Sequence, residues 1–310
     1  WKEANKRFDE YGNDKEVGTN GFYAMKAHWS EHPDRDQAWA DAEKARIGDE
    51  RFRREHECEF LIYDETLISS THLIDMEPQE PIEKTGQVRW YKRPTPGMTY
   101  LVSLDPAMGT GGDYAAIQVF ELPTFEQVGE WHHNTTPMNQ QVRILQSITK
   151  HLHDTIMEKD TTATPQIFYS MENNSIGEAA LLRVMDIGEE HIQGMFLSEP
   201  IRKGHRRKFR RGFNTTAKHK IDACTKFKEL VENNKMKINS QLLISELKDF
   251  VASGMSFSAK AGQHDDLVSS CLLMTRMIKT LADFDPKIFE KWTDRTSELA
   301  PMPIYGSFTG

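Results

Sequence analysis

Three short acidic patches carry the chemistry this sequence is equipped to do. Leu101-Val102-Ser103-Leu104 runs into Asp105, and Ile167-Phe168-Tyr169-Ser170-Met171 runs into Glu172. Asp265-Asp266 opens onto Leu267, Val268, Cys271 and Leu272. The first two read as acids closing buried strands, the third as the start of a long apolar helix. Carboxylates at strand ends and at a helix start can meet in space. Convergent carboxylates hold hard divalent cations such as magnesium, and paired cations of that kind promote phosphodiester cleavage. Each patch also has an ordinary explanation. Asp105 before Pro106 is a common way to start a turn, and Glu172 before Asn173-Asn174 is a common strand end. An acid at a helix N-terminus gains roughly 0.3–1 kcal/mol from the helix dipole. The dipole accounts for one acid better than for two. Neighbours on a helix point about 100° apart, so at most one of Asp265 and Asp266 faces a metal squarely.

Two further features lie between the acids. The loop Met108-Gly109-Thr110-Gly111-Gly112-Asp113 is glycine-rich, which lets a phosphate backbone approach closely or simply makes a hairpin turn. Asp113 would add a metal or water contact. No Walker A motif, Gly-x4-Gly-Lys-Ser/Thr, occurs anywhere in the chain. The second feature is a basic run: Arg202, Lys203, Arg206, Arg207, Lys208, Arg210 and Arg211, extended by Lys218 and Lys220 on the next helix. Such a run is often a solvated loop. Its position between the second and third acids also suits the flank of a DNA-binding cleft. His264 beside the acids reads as a hydrogen-bonding neighbour or as a general acid/base.

The bulk properties narrow the class. With 310 residues, 38% hydrophobic and 28% charged, the chain suits one large globular domain or two modest ones. No apolar stretch approaches the roughly 18–20 residues a membrane span needs, and no signal peptide is evident, so no membrane partner is expected. The chain starts at Trp1 rather than Met, as a fragment of something longer would. Cys58, Cys224 and Cys271 lack metal-ligand spacing and point to a reducing setting. Net charge is −8, which at first argues against a polyanionic partner. Residues 201–240 nevertheless carry 13 Lys/Arg against 3 Asp/Glu, leaving −18 on the rest. A localised basic segment on an acidic body is the electrostatic pattern that matters for nucleic acid.

The elements that must position these residues follow from periodicity. Residues 36–60 are rich in helix formers, with Ala38, Ala42, Ile47 and Phe52 as one face. Met76 to Gly97, with four prolines, reads as a strand-poor connector. Strands are expected over 99–104, 114–121 and 125–134 as a meander, then a helix over 138–157 with Val142, Leu145, Ile148 and Leu152 as its stripe. A fourth strand covers 167–171. A helix follows over 175–185, with Ser175 as N-cap and Glu178 completing a capping box. Beyond the basic run come a helix over 217–233, a strand over 236–238, a helix over 241–251, a strand or turn over 255–259, and a helix over 265–281. This is a mixed α/β plan. Its expected divisions are a helical extension over 1–85, a mixed α/β domain over 86–282 and a tail over 283–310.

Together, Leu101–Ala116, Met171-Glu172-Asn173-Asn174-Ser175-Ile176-Gly177 and His264-Asp265-Asp266-Leu267-Val268 resemble the C-terminal nuclease domain of the large terminase subunit of tailed bacteriophages, of the myovirus type. The resemblance spans roughly 99–281. Asn20-Gly21-Phe22-Tyr23 and residues 52–60 resemble the end of that family's ATPase domain. The resemblance implies an RNase H-like fold of the resolvase and integrase type, a mixed sheet flanked by helices. It implies an endonuclease that cuts concatemeric DNA during packaging, with little sequence choice. Asp105, Glu172 and Asp266 take the places of the metal-binding acids, with Asp265 and Asp113 in support. Two Mg²⁺ or Mn²⁺ ions are the expected cofactors. Double-stranded DNA, the terminase ATPase domain, the portal or procapsid and the small terminase subunit are the expected partners, at the procapsid in the host cytoplasm. The chain departs from the full-length family in lacking Walker A, so no ATPase activity is expected of it. Other readings are a junction resolvase or transposase of the same fold, a DNA-docking module that does not cut, and a structural adaptor.

Overall fold

The computed structural model describes residues 22, 23, 25, 27–58, 65–199 and 211–284. Contacts divide the chain into two compact units, Trp1–Tyr63 and Asp64–Gly310. In the first, helix α1 (Gln37–Ile47) starts where the Asp36 carboxylate accepts the Trp39 N–H at 2.8 Å. It stops at Gly48, whose φ of 85° leaves the helical region, and α2 (Asp49–Glu55) follows. The expected single helical face is therefore broken in phase. Ala40 and Phe52 are buried, whereas Ala38 and Ala42 are exposed. Trp29, Trp39, Phe52 and His56 pack their rings together around Phe52.

The second unit begins with a short helix, α3 (Ser70–Asp75), and is built on a seven-stranded sheet. Its strands are β1 (Glu83–Thr85), β2 (Val88–Trp90), β3 (Thr99–Asp105), β4 (Ala115–Leu122), β5 (Glu126–His133), β6 (Gln166–Met171) and β7 (Met195–Phe196). The order is β1-β2-β5-β4-β3-β6-β7. The first five pair antiparallel, and β6 and β7 add parallel to β3. The meander and the strand over 167–171 stand as expected. The region Met76 to Gly97 is not strand-poor: its prolines flank a hairpin, in which Val88 and Trp90 point inward and Gly86 (φ 62°) makes the turn. The two-residue strand β7 is too short to leave a periodic signal.

One face of the sheet is covered by α4 (Met138–Lys159) and α5 (Ser175–Ile187). Val142, Leu145, Ile148, Leu152 and Ile156 of α4 pack with Tyr100, Val102, Leu104, Tyr169 and Met171 in the main core. Helix α5 has Asn174 as its N-cap residue, one earlier than expected, with no side-chain cap bond. Next come α6 (Ala217–Glu232), α7 (Gln241–Asp249), the hairpin β8 (Phe250–Ser253) with β9 (Ser256–Ala259), and α8 (Asp266–Phe284). The strand expected over 236–238 is only an isolated bridge, Glu126 to Lys237. Helix α7 ends at Asp249 because Phe250 turns into the hairpin. Helix α8 lies close along β3: the Ser103 hydroxyl donates to the Ser270 carbonyl at 2.8 Å, and Ser270 returns the bond to Ser103 at 2.9 Å. Among the described residues no helix is long and apolar enough to cross a membrane.

Candidate metal centre

Side-chain alternation decides which face the acids occupy. Leu104 and Met171 point into the main core, so Ser103, Asp105, Ser170 and Glu172 share the opposite face, towards α8. Strands β3 and β6 are parallel neighbours with Leu104 opposite Met171, and the Glu172 N–H continues the ladder to the Leu104 carbonyl at 3.3 Å. Asp105 and Glu172 are thus adjacent at the carboxyl ends of two central strands. The serine contact fixes α8 along β3, which brings its first residue, Asp266, to the same end. Asp265 precedes the helix, and its carbonyl accepts the Ser269 N–H at 2.7 Å. Asp105, Asp113, Glu172, Asp265 and Asp266 consequently line one open pocket of about 450 Å³.

The electrostatics follow from crowding. Burial, then the Glu172 and Asp266 charges, hold the Asp105 carboxyl well above the usual carboxylate range. Burial pushes Asp266 up to about 6, with Asp265 and Asp113 adding to the rise. The Tyr114 N–H, 3.3 Å from Asp266 Oδ2, pulls the other way. The Asn174 amide donates to Glu172 Oε1 at 2.6 Å. The glycine-rich loop joins β3 to β4 and is pinned, with the Gln141 amide donating to the Ala107 and Thr136 carbonyls at 2.8 and 2.7 Å. Asp113 stands exposed on the rim of the pocket. His264 lies with Nδ1 3.5 Å from Asp266 Oδ2 and its ring edge-on to Tyr114.

A residue outside every motif, Glu246, holds the helix that carries Asp266. Glu246 of α7 accepts the Val268 N–H at 3.1 Å, satisfying one of the free donors of the first turn of α8. Burial raises its carboxyl to about 9. The signal was present in sequence: Glu246 falls on the stripe of Leu243 and Leu247, where an acid must have a buried partner.

With that geometry in hand, comparison with known families is decisive. The pattern of the terminase RNaseH-like domain matches residues 102–277, more than half of the chain. The chain belongs to that family. The large terminase nuclease from thermophilic phage G20c superposes with a TM-score of 0.51 at 17% identity, covering 68% of this chain and 98% of that one. The same nuclease with bound magnesium gives 0.50 at 17% identity over 68% and 97%. Its cobalt-bound form also gives 0.50 at 17% identity, over 68% and 97%. At such identity the likeness is one of fold: the mixed sheet flanked by helices is the RNase H-like arrangement expected from sequence.

In this terminase domain the donor chemistry suits a hard divalent cation. Among the described residues the pocket offers five carboxylates, Asn174 and Ser269, with no thiol or imidazole lining it. Burial first, and then mutual repulsion, raises the Asp105 and Asp266 carboxyls, and a cation would offset the cost of ionising them there. The oxygens are not drawn into a closed cage. Among the described residues no three His, Cys, Asp or Glu side chains are grouped so as to hold an ion as they stand. Rotation about the soft terminal torsions of Asp and Glu is the adjustment available.

The expected DNA contacts divide. Arg202, Lys203, Arg206, Arg207, Lys208 and Arg210 lie outside the described residues. Arg211 is engaged by the protein itself, donating to Glu189 at 2.7 Å with its guanidinium 5.4 Å from the Phe196 ring centre. Lys218 is exposed on the first turn of α6. Lys220, one residue pair further on, lines a second pocket beside the acids.

Proposed function

We propose that this chain is a metal-dependent DNA endonuclease that cuts concatemeric viral DNA during genome packaging, with little sequence specificity. One observation carries the reading: five carboxylates from β3, the β3–β4 loop, the end of β6 and the start of α8 face a single open pocket. Asp105, Glu172 and Asp266 would hold Mg²⁺ or Mn²⁺, with Asp265 and Asp113 in support. The magnesium-bound and cobalt-bound forms of the phage G20c nuclease support a divalent ion here. Two such ions supply an activated water and a stabilised leaving oxygen. The chain's own part is placement. The β3–β6 ladder fixes the spacing of Asp105 and Glu172, Asn174 steadies the Glu172 carboxylate, and the Tyr114 N–H aims Asp266. A proton held on the raised Asp105 carboxyl would leave as an ion bound. In this reading the nuclease works on double-stranded DNA beside a terminase ATPase domain, the small subunit and the portal, at the procapsid in the host cytoplasm.

The test is nicking of supercoiled plasmid by the 310-residue chain. Cutting is expected with Mg²⁺ or Mn²⁺ and not with chelator. Asp105→Asn is expected to lose at least about 10²-fold in rate, as loss of a principal electrostatic group does, with its circular dichroism unchanged. Equal cutting by pure Asp105→Asn protein overturns the assignment. A preference for four-way junctions over linear duplex would move the protein to resolvase-like work.

A further inference from the structure

A second pocket, of about 230 Å³, opens directly beside the acidic one, and the two share Asp105, Glu172, Asn174 and Ser269 as a common wall. Across that wall the balance of charge shifts. Among the described residues the acidic pocket is lined by five carboxylates and no cation, whereas the second sets Lys220 and Arg276 against the shared Asp105 and Glu172. Its floor is Ala223, Leu272 and Leu273.

The two cations are not equivalent. Arg276 is committed to the protein: it pairs with Glu199, donates to the Thr215 hydroxyl at 3.0 Å and the Asn214 carbonyl at 3.1 Å, and lies over the Phe213 ring. Only 11% of its side chain is exposed. It holds Thr215 and the start of α6 in place. Lys220 is more open, with 27% of its side chain exposed. Its ammonium is 3.7 Å from Asp265 Oδ2, beyond hydrogen-bonding distance, and 5.4 Å from the Phe250 ring centre. A compact, strongly hydrated ammonium on a flexible stem is suited to a phosphate as a point charge.

We infer that this second pocket is a subsite for the phosphodiester next to the one being cut, on the same strand, with Lys220 contacting that phosphate and the apolar floor taking the adjoining sugar. The inference rests on the endonuclease reading and deepens it. A strand whose scissile phosphate enters the acidic pocket has its neighbouring phosphate at the shared wall, where Lys220 is the more exposed of the two described cations. The acids alone repel a strand on both sides of the cut, and Lys220 offsets that repulsion on one side.

The experiment uses end-labelled duplexes carrying a single uncharged methylphosphonate linkage, cut by the 310-residue chain in Mn²⁺. For the parent, the gap in the cleavage ladder should cover the neutral linkage and the bond beside it on one side. For Lys220→Ala it should shrink to the neutral linkage alone, and Lys220→Arg should restore the wider gap. In chelator, Lys220→Ala should bind an unmodified duplex about tenfold more weakly, as loss of one charged contact does. The slope of log affinity against log salt should fall by about 0.9. A parent that cuts nothing overturns the endonuclease reading and this subsite with it. A parent that cuts, with gaps of equal width in parent and Lys220→Ala, overturns the subsite alone.

Discussion

Gly177 sits where any side chain would strike the site. A Cβ built there lies 1.8 Å from the Glu172 carbonyl oxygen and 2.7 Å from its carbon. Both are backbone atoms, so the first turn of α5 or the end of β6 must move. Alanine in place of glycine inside a helix ordinarily gains about 1 kcal/mol. Here the clash should win, and Gly177→Ala is expected to lose about 1–3 kcal/mol in denaturant unfolding and at least tenfold in nicking. Parent-like stability and cutting would show that α5 shifts without disturbing Glu172. Asp266 offers a second reading at this scale. Its folded carboxyl titrates near 6 rather than its ordinary 3.8. Between those values the native state holds a proton that the unfolded chain has released. Stability therefore falls as pH rises through that window, by about 3 kcal/mol from this group, and levels off above it. Asp105 acts in the same direction. In chelator, the parent should lose melting temperature relative to Asp266→Asn as pH rises from 4 to 7. Mg²⁺ binds the ionised form, so it should raise the melting temperature more at pH 8 than at pH 4.5. A magnesium shift independent of pH would separate the ion from these acids.

At the scale of elements, the position of α8 decides whether the site exists, since Asp266 rides on its first turn. Beside its buried apolar face, two hydrogen-bonded contacts hold that position: the Ser103–Ser270 exchange along β3, and Glu246 of α7 under the N-terminus. Glu246 titrates near 9, so it is uncharged at neutral pH and accepts the Val268 N–H as a neutral group. Glu246→Gln keeps an acceptor and carries no charge. It should therefore be at least as stable as the parent at pH 8, with a smaller fall in stability from pH 5 to 9, because the raised carboxyl no longer binds a proton on folding. Glu246→Ala leaves the helix donor without its partner and should cost about 1–3 kcal/mol, with a matching loss of nicking that Glu246→Gln does not show. Equal melting and cutting by the two variants would remove Glu246 from the placement of α8. The same element shows what sequence can and cannot reveal. Asp105, Glu172 and the Asp265-Asp266 pair were legible because each ends or begins a strongly apolar run. The central strands and the stripe of α4 were legible for the same reason. Strands β1, β2 and β7 were not, since two or three residues give no periodicity, and their edges are fixed by pairing: β1 with β2, β2 with β5 and β7 with β6. The single helical face over 36–60 failed at Gly48, where a positive φ ends α1. Arg211 looked like part of a basic run, yet Glu189 and Phe196, distant in sequence, engage it.

For the molecule as a whole, the net charge of −8 conceals an opposition between a +10 segment over 201–240 and a body of −18. A body of that charge repels a duplex, and the acidic pocket adds to the repulsion until cations enter. Affinity for DNA must then come from few positions and fall steeply with salt, since each phosphate neutralised releases condensed counterions. Arg206, Arg207, Lys208 and Arg210 are the densest cations in the chain; Arg211 is set aside because the protein already engages it. Replacing those four with alanine should weaken binding to a 30-base-pair duplex and reduce the slope of log affinity against log salt by up to about 3.6, at roughly 0.9 per phosphate contact. Sequence preference should not change, because phosphate contacts orient a duplex without reading its bases. The measurement is fluorescence anisotropy in chelator across a salt series, so that cutting and metal binding play no part. Equal slopes for the quadruple variant and the parent would take this segment out of DNA binding. A slope reduced by the full amount, with nicking at saturating DNA unchanged, would assign the segment to capture of the duplex and leave bond cleavage to the acids.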